Sequence, residues 1–239
     1  MKTFKKPFLI IFFLSLAFNC LGQEKSLLLF EQTAKIIGIK NSDIHLQFAV
    51  SQDFEDHLLI VIPEIAEEGD GYMIFNSNII LKDKKTGEIE AVFKGEKEWY
   101  SDAVRIDQIE IEPTIYQLNK TNVSFGLKVH YANQSRPNPT SSIELSLFAF
   151  DGEKLNAVLR NFPISQHHGE TDTTCKGTFE IHTKELKIST FYTNQYADLE
   201  FVNSIVLYEQ DDDCEKTYSQ SIEKVETLKY KGNQYVSNQ

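Results

Sequence analysis

The chain has 239 residues, with 24 Lys and Arg against 35 Asp and Glu, and a formal net charge of −11. So acidic a surface repels phosphate backbones and anionic lipid headgroups, which excludes nucleic acid as a natural partner and favours a basic protein or a divalent cation. Histidine and cysteine are scarce, at six and three residues.

Residues 1–22 read as a cleaved secretory signal. Lys2, Lys5 and Lys6 precede an apolar run from Phe8 to Phe18, and small residues follow near Gly22. The run is too short to span a bilayer. Cleavage after Gly22 would start the mature chain at Gln23 and, by removing three lysines and no acid, take the net charge to −14. A lipid anchor on Cys20 is the competing reading, but Phe18 and Asn19 are poor residues to precede a lipidated cysteine. The expected product carries no anchor and no membrane span. The short basic start is bacterial in style, which points to the periplasm or the medium.

Residues 23–239 read as one β-rich domain, since no Gly/Ser/Pro-rich linker divides them. "SLLLFEQTAKIIGI" has the spacing of a short amphipathic helix ending at Gly38, the one helical candidate. "IHLQFAV" alternates, placing Ile44, Leu46, Phe48 and Val50 on one face of an expected strand. "HLLIVIPEI" is continuously apolar, as a strand covered on both sides would be, with Pro63 confining it to a sheet edge or strand end. "VRIDQIEIE" nearly alternates, and "NVSFGLKVHYA" does so without a slip from Val123 to Tyr131. "SIVLY" again reads as covered on both sides.

Thr86-Gly87, Asp151-Gly152 and Lys231-Gly232-Asn233 each sit between apolar runs, where glycine supplies the positive φ of a tight hairpin. The fold class is therefore all-β, built of antiparallel meander sheets arranged as a two-sheet sandwich or a small propeller-like body. The propeller alternative comes from a likeness: these hairpins, with "YADLEF" and "LKYKGNQYV", resemble blades of exported FG-GAP or VCBS-like β-propeller proteins. That resemblance implies no activity.

Three stretches carry candidate chemistry. "HHGETDTTC" holds His167, His168, Glu170 and Asp172 beside Cys175. Adjacent histidines on an extended chain point to opposite sides, so His167 and His168 cannot both face one zinc ion, and His182 would have to complete the set. With the signal removed, Cys175 and Cys214 are an even pair in an oxidising compartment and are expected to form a disulfide. That bond would bring Glu170 and Asp172 to Glu209, Asp211, Asp212 and Asp213, a carboxylate set whose natural cation is calcium. The first expectation for this stretch is a stapled polar loop without a cofactor, and the second is a calcium site.

"NQSRPNPTSS" displays Arg136 on a connection stiffened by Pro137 and Pro139, and such a loop loses little entropy on docking. The sequon-like Asn133-Gln-Ser matters only in a glycosylating host. "GEKEWYSDA" places Trp99 beside Tyr100 among charges, where the pair could contact a glycan or a protein, or Trp99 could plug the core. No Gly-x-Ser-x-Gly elbow, phosphate-cradling glycine loop or Cys/His pair is present. The expectation is an exported acidic binding protein, of the inhibitor or immunity type, acting on a basic envelope or secreted partner through Arg136, Trp99 and Tyr100. A secreted hydrolase with a carboxylate-based site is the alternative.

Overall fold

The computed structural model describes residues 26–112 and 114–237. The signal sequence, Cys20 and Gln23 lie outside the described residues. A helix over residues 26–36 comes first. It closes at Gly38, whose φ of +84° a side chain would strain. Twelve strands follow. The smaller sheet has the order β1 (Val50–Phe54), β2 (His57–Gly69), β3 (Tyr72–Asp83), β4 (Ile89–Ser101). The larger is an eight-stranded meander of β5 (Arg105–Glu112), β6 (Val123–Ala132), β7 (Thr140–Phe150), β8 (Leu155–Thr171), β9 (Gly177–Thr193), β10 (Tyr196–Gln210), β11 (Lys216–Lys231) and β12 (Gln234–Ser237). Every neighbouring pair is antiparallel, so the all-β meander expected from the sequence is what forms. The hairpin glycines Gly87, Gly152 and Gly232 all have positive φ.

Burial sorts the strands into layers. Leu59 and Val61 of β2 face a core shared with Phe125, Leu127 and Phe148 of the large sheet, while Ile60 and Ile62 face Phe30 and Ala34 of the helix. This is why "LLIVI", Leu58 to Ile62, has no polar positions. β7 is likewise covered twice: Phe148 and Phe150 point into the core between the sheets, and Leu145, Leu147 and Ala149 point into a second core. That second core is closed by Leu199 and Phe201 of β10, Leu228 of β11 and Tyr235 of β12, because the C-terminal strands curl over the back of β7 and β8. Ile205 of the "SIVLY" stretch is buried, but its neighbours Val206, Leu207 and Tyr208 stay half-exposed.

Three local expectations are corrected or refined. "IHLQFAV" is not a strand: a 3-10 turn at Asn41–Asp43 precedes it and a second, Leu46–Phe48, lies within it before β1 begins at Val50. The turns bury Ile44 and Phe48 and leave Leu46 exposed, so alternation there marks a winding entry into the sheet. In "VRIDQIEIE" a register shift between Ile106 and Gln108 lets Ile106, Ile109 and Ile111 share one face, which explains the imperfect alternation. Pro63 lies past the end of β1, where its carbonyl takes the His45 amide; its missing N–H falls on the side that β1 does not reach.

No helix among the described residues is long and apolar enough to cross a membrane.

Candidate functional site

β8 and β9 pair only over Ser165–Thr171 and Gly177–Thr183, then diverge as the lower part of β9 folds toward the second core. The upper halves of β8, β9, β10 and β11 therefore stand out as an arm one sheet thick. None of the seventeen residues of β9 is fully buried. The sequence suits this: "TFEIH" alternates polar with apolar and residues 182–185 are wholly polar, so the upper half of β9 has no core-forming face.

The cross-strand register defines what each face presents. On the face continuous with the inter-sheet core, one row runs Thr140, His168, Glu180, Leu207, Gln220, and the next runs Glu170, Thr178, Glu209, Tyr218. These rows floor a groove of about 830 Å³ that is walled by Val104 of the β4–β5 turn and by Asn133, Asn138 and Pro139. Thr140 Oγ1 donates to the His167 carbonyl and lies 2.9 Å from His168 Nδ1, and His182 Nε2 lies 2.5 Å from Glu180 Oε1. The floor thus carries three carboxylates, Glu170, Glu180 and Glu209, and no lysine or arginine lines it.

The reverse face is aromatic. Phe179 stacks on Tyr208 at 4.7 Å and on His167 at 6.0 Å, and the Lys216 ammonium sits 4.3 Å over Tyr208. Phe179 lies flat against Gly169, where a Cβ would come within 2.8 Å of its ring. His167 and His168 point to opposite faces of β8, so the pair does not share an ion.

Cys175 and Cys214 form a disulfide that joins the β8–β9 turn to the β10–β11 turn at the free end of the arm. The acids around it do not form the expected calcium site. Asp172 Oδ1 accepts from the Thr174 amide and hydroxyl, which holds its carboxyl below the usual range. Asp211 Oδ1 accepts from the Asp213 and Glu215 amides, and Asp212 faces Lys176. Asp172 and Asp211 each close their own turn, and Glu170 and Glu209 stand apart with Thr178 between them. Among the described residues no group of three or more His, Cys, Asp or Glu is placed to hold a metal ion.

The proline-bearing loop is fastened to the arm. Gly169 and Thr171 donate their amides to the Pro139 and Pro137 carbonyls, and Thr171 Oγ1 donates to the Arg136 carbonyl. Arg136 is exposed beside the groove wall, and its guanidinium has no ion-pair partner among the described residues. Tyr100 is exposed and stacks on Tyr72. Trp99 corrects the expectation of a binding residue: it is 1 % exposed and belongs to the inter-sheet core. The left-handed residue Lys97, with φ +47°, turns the indole inward despite its charged neighbours.

Sequence reasoning missed a polar seam between β4 and β8. Glu98 Oε1 accepts from Arg160 Nε at 3.1 Å and Asn161 Nδ2 at 2.9 Å, while Arg160 Nη2 donates to Oε2. Lys97 and Asn161, both left-handed, flank this contact. Burial and the nearby Glu98 charge push the Glu144 carboxyl up. Neither Glu98 nor Glu144 lines the arm groove or the second cleft, of about 600 Å³, beside His45 and Arg105. That Glu170, Glu180 and Glu209 share one face of the arm was also invisible, since they lie on three strands.

No protein-family model, curated protein or solved structure matches the chain.

Proposed function

We propose that the protein is an exported, acidic binding protein whose recognition surface is the groove on the inner face of the arm, and that it takes a basic segment of an envelope or secreted partner protein as an inhibitor or immunity-type protein does. One observation carries this reading: the arm is a single layer that contributes little to either large core, yet it is held in shape by a disulfide, a fastened loop and an aromatic stack. A framework of that kind pre-organises a surface, so that little entropy is lost when a partner docks. Three carboxylates on the floor, with no lysine or arginine lining it among the described residues, favour cationic partners and disfavour anionic ones. Arg136 beside the wall would meet an acidic or backbone carbonyl group at the rim. Export rests on the signal-like leader and is supported by the disulfide.

The test is capture from the envelope extract of the host on immobilised protein, with the Glu170→Gln/Glu180→Gln/Glu209→Gln variant run beside it. The expected result is a basic protein retained by the parent, released by salt and not retained by the variant. Equal capture by both proteins would remove the groove from the account.

The hydrolase reading has one observation of its own. Glu98 is ion-paired with Arg160 while burial and the Glu98 charge push the Glu144 carboxyl up, so that two carboxyl groups lie in contrasting environments. Hydrolysis of envelope polysaccharide that vanishes in both Glu98→Gln and Glu144→Gln would favour it.

A further inference from the structure

Among the described residues, the outer edge of β11 is a long run of unpaired backbone at the rim of the large sheet. β12 covers only Leu228–Lys231, and from Tyr218 to Thr227 the ladder with β10 is regular, so every second residue directs its N–H and C=O into solvent. The edges of the other outermost strands are blunted. β1 has five residues and β12 four, β5 is bulged at Ile106/Gln108, and β4 is bulged twice and held to the helix end through Lys94 and the Ile37 carbonyl. Proline, glycine and bulges are missing from Tyr218–Thr227, and its charges, Glu223, Lys224 and Glu226, are confined to the half nearer β12. The same stretch displays two of the exposed large hydrophobic side chains, Tyr218 at 50 % and Val225 at 62 %.

We infer that this edge pairs antiparallel with the same edge of a second copy, continuing the sheet through a two-fold axis. Geometry restricts the register. Two identical strands can bond only if directly opposed residues both turn their backbone groups toward the seam, so opposed residues are separated by an even number of positions and a residue lies on the axis. An axis at Glu223 or Lys224 sets like charges face to face. An axis at Ser221 joins only Tyr218–Lys224. An axis at Ile222 joins Tyr218–Glu226, the longest ladder free of like-charge opposition. It sets Ile222 against Ile222, Gln220 against Lys224 of the second copy, and the Tyr218 hydroxyl against the Glu226 carboxylate of the second copy, which accepts from it. The axis is perpendicular to the sheet, so both inner faces stay on one side. Tyr218, the last groove residue toward this edge, then meets the second copy, and the two grooves become one floor. The pairing is independent of what the groove binds.

Sedimentation of the purified protein over a range of concentrations tests this, together with two variants. Expected are a concentration-dependent dimer, its loss in Ile222→Asp with circular dichroism unchanged, and rapid dimeric cross-linking of Ile222→Cys by a short bis-maleimide that leaves the parent protein untouched. Cross-linking at the axis keeps the question open to a result even if the aspartate variant fails to fold. A protein that sediments as a monomer throughout, a dimer indifferent to Ile222→Asp, or an Ile222→Cys dimer that does not cross-link would each overturn the proposal.

Discussion

β7 and β9 are neighbours in chain order on either side of β8, yet they obey different rules. β7 is covered on both faces, and its last six residues are all buried. β9 stands in the arm and buries none. In the layered body a side chain is fixed by what it excludes from water, at roughly 25 cal/mol per Å² of apolar surface. In the arm it is fixed by cross-strand partners, each worth far less than a filled core site, and by the single disulfide at the free end. The body therefore cannot change its inner surfaces without losing the fold. The arm can vary its groove floor freely, and this is what a recognition surface requires.

Mutations should divide along that line. Trp99→Ala and Leu147→Ala empty sites in the two cores, and each is expected to cost about 3–5 kcal/mol in a chemical denaturation curve. A Trp99 variant with native stability would show that the indole is not part of the core.

The staple comes next. For a separation of 39 residues the chain-entropy argument gives about 4 kcal/mol as an upper figure for Cys175→Ser/Cys214→Ser. The distinguishing outcome is where the loss falls: amide exchange should quicken at the arm end of β8 to β11 while β2 and β7 stay protected. Uniform acceleration would mean that body and arm unfold as one unit.

Within the arm, Phe179→Ala removes the central ring of the stack, and about 1 kcal/mol is expected. A body-sized loss would contradict the single-layer description. Glu144→Gln should stabilise the protein by a smaller amount at neutral pH. Its folded carboxyl is pushed up from 4.5, so its contribution is full below that value and is lost as pH rises through the folded pKa; a glutamine carries no such loss. A melting temperature that gains nothing at neutral pH would refute it. Arg136→Ala, fully at the surface, should shift stability by less than about 0.5 kcal/mol, and a larger shift would make its side chain structural.

The sequence was most legible where one rule acts alone. β6 keeps its apolar residues Phe125, Leu127 and Val129 on the inter-sheet core, the hairpin glycines mark positive φ, and Cys175 and Cys214 pair. It failed where a local irregularity reverses a face. Trp99 reads as a surface residue among charges until Lys97 turns the strand, and the alternation of Ile44 to Val50 suits 3-10 turns as well as a strand. β8 hid its full length because register shifts near Leu159 and Pro163 break its pattern. The groove could not be read at all, since Glu170, Glu180 and Glu209 meet through register and not through spacing. The calcium expectation counted carboxylates without asking which amides already used them.

The most direct measurement of the division between scaffold and recognition surface is hydrogen exchange of the protein with and without the basic protein it captures. Added protection is expected at residues 133–140, 166–182 and 205–220, which contain the groove floor and the loop at its wall, with the helix and the small sheet unchanged. Protection confined to the helix or the small sheet, with the arm exchanging as in the free protein, would contradict the account.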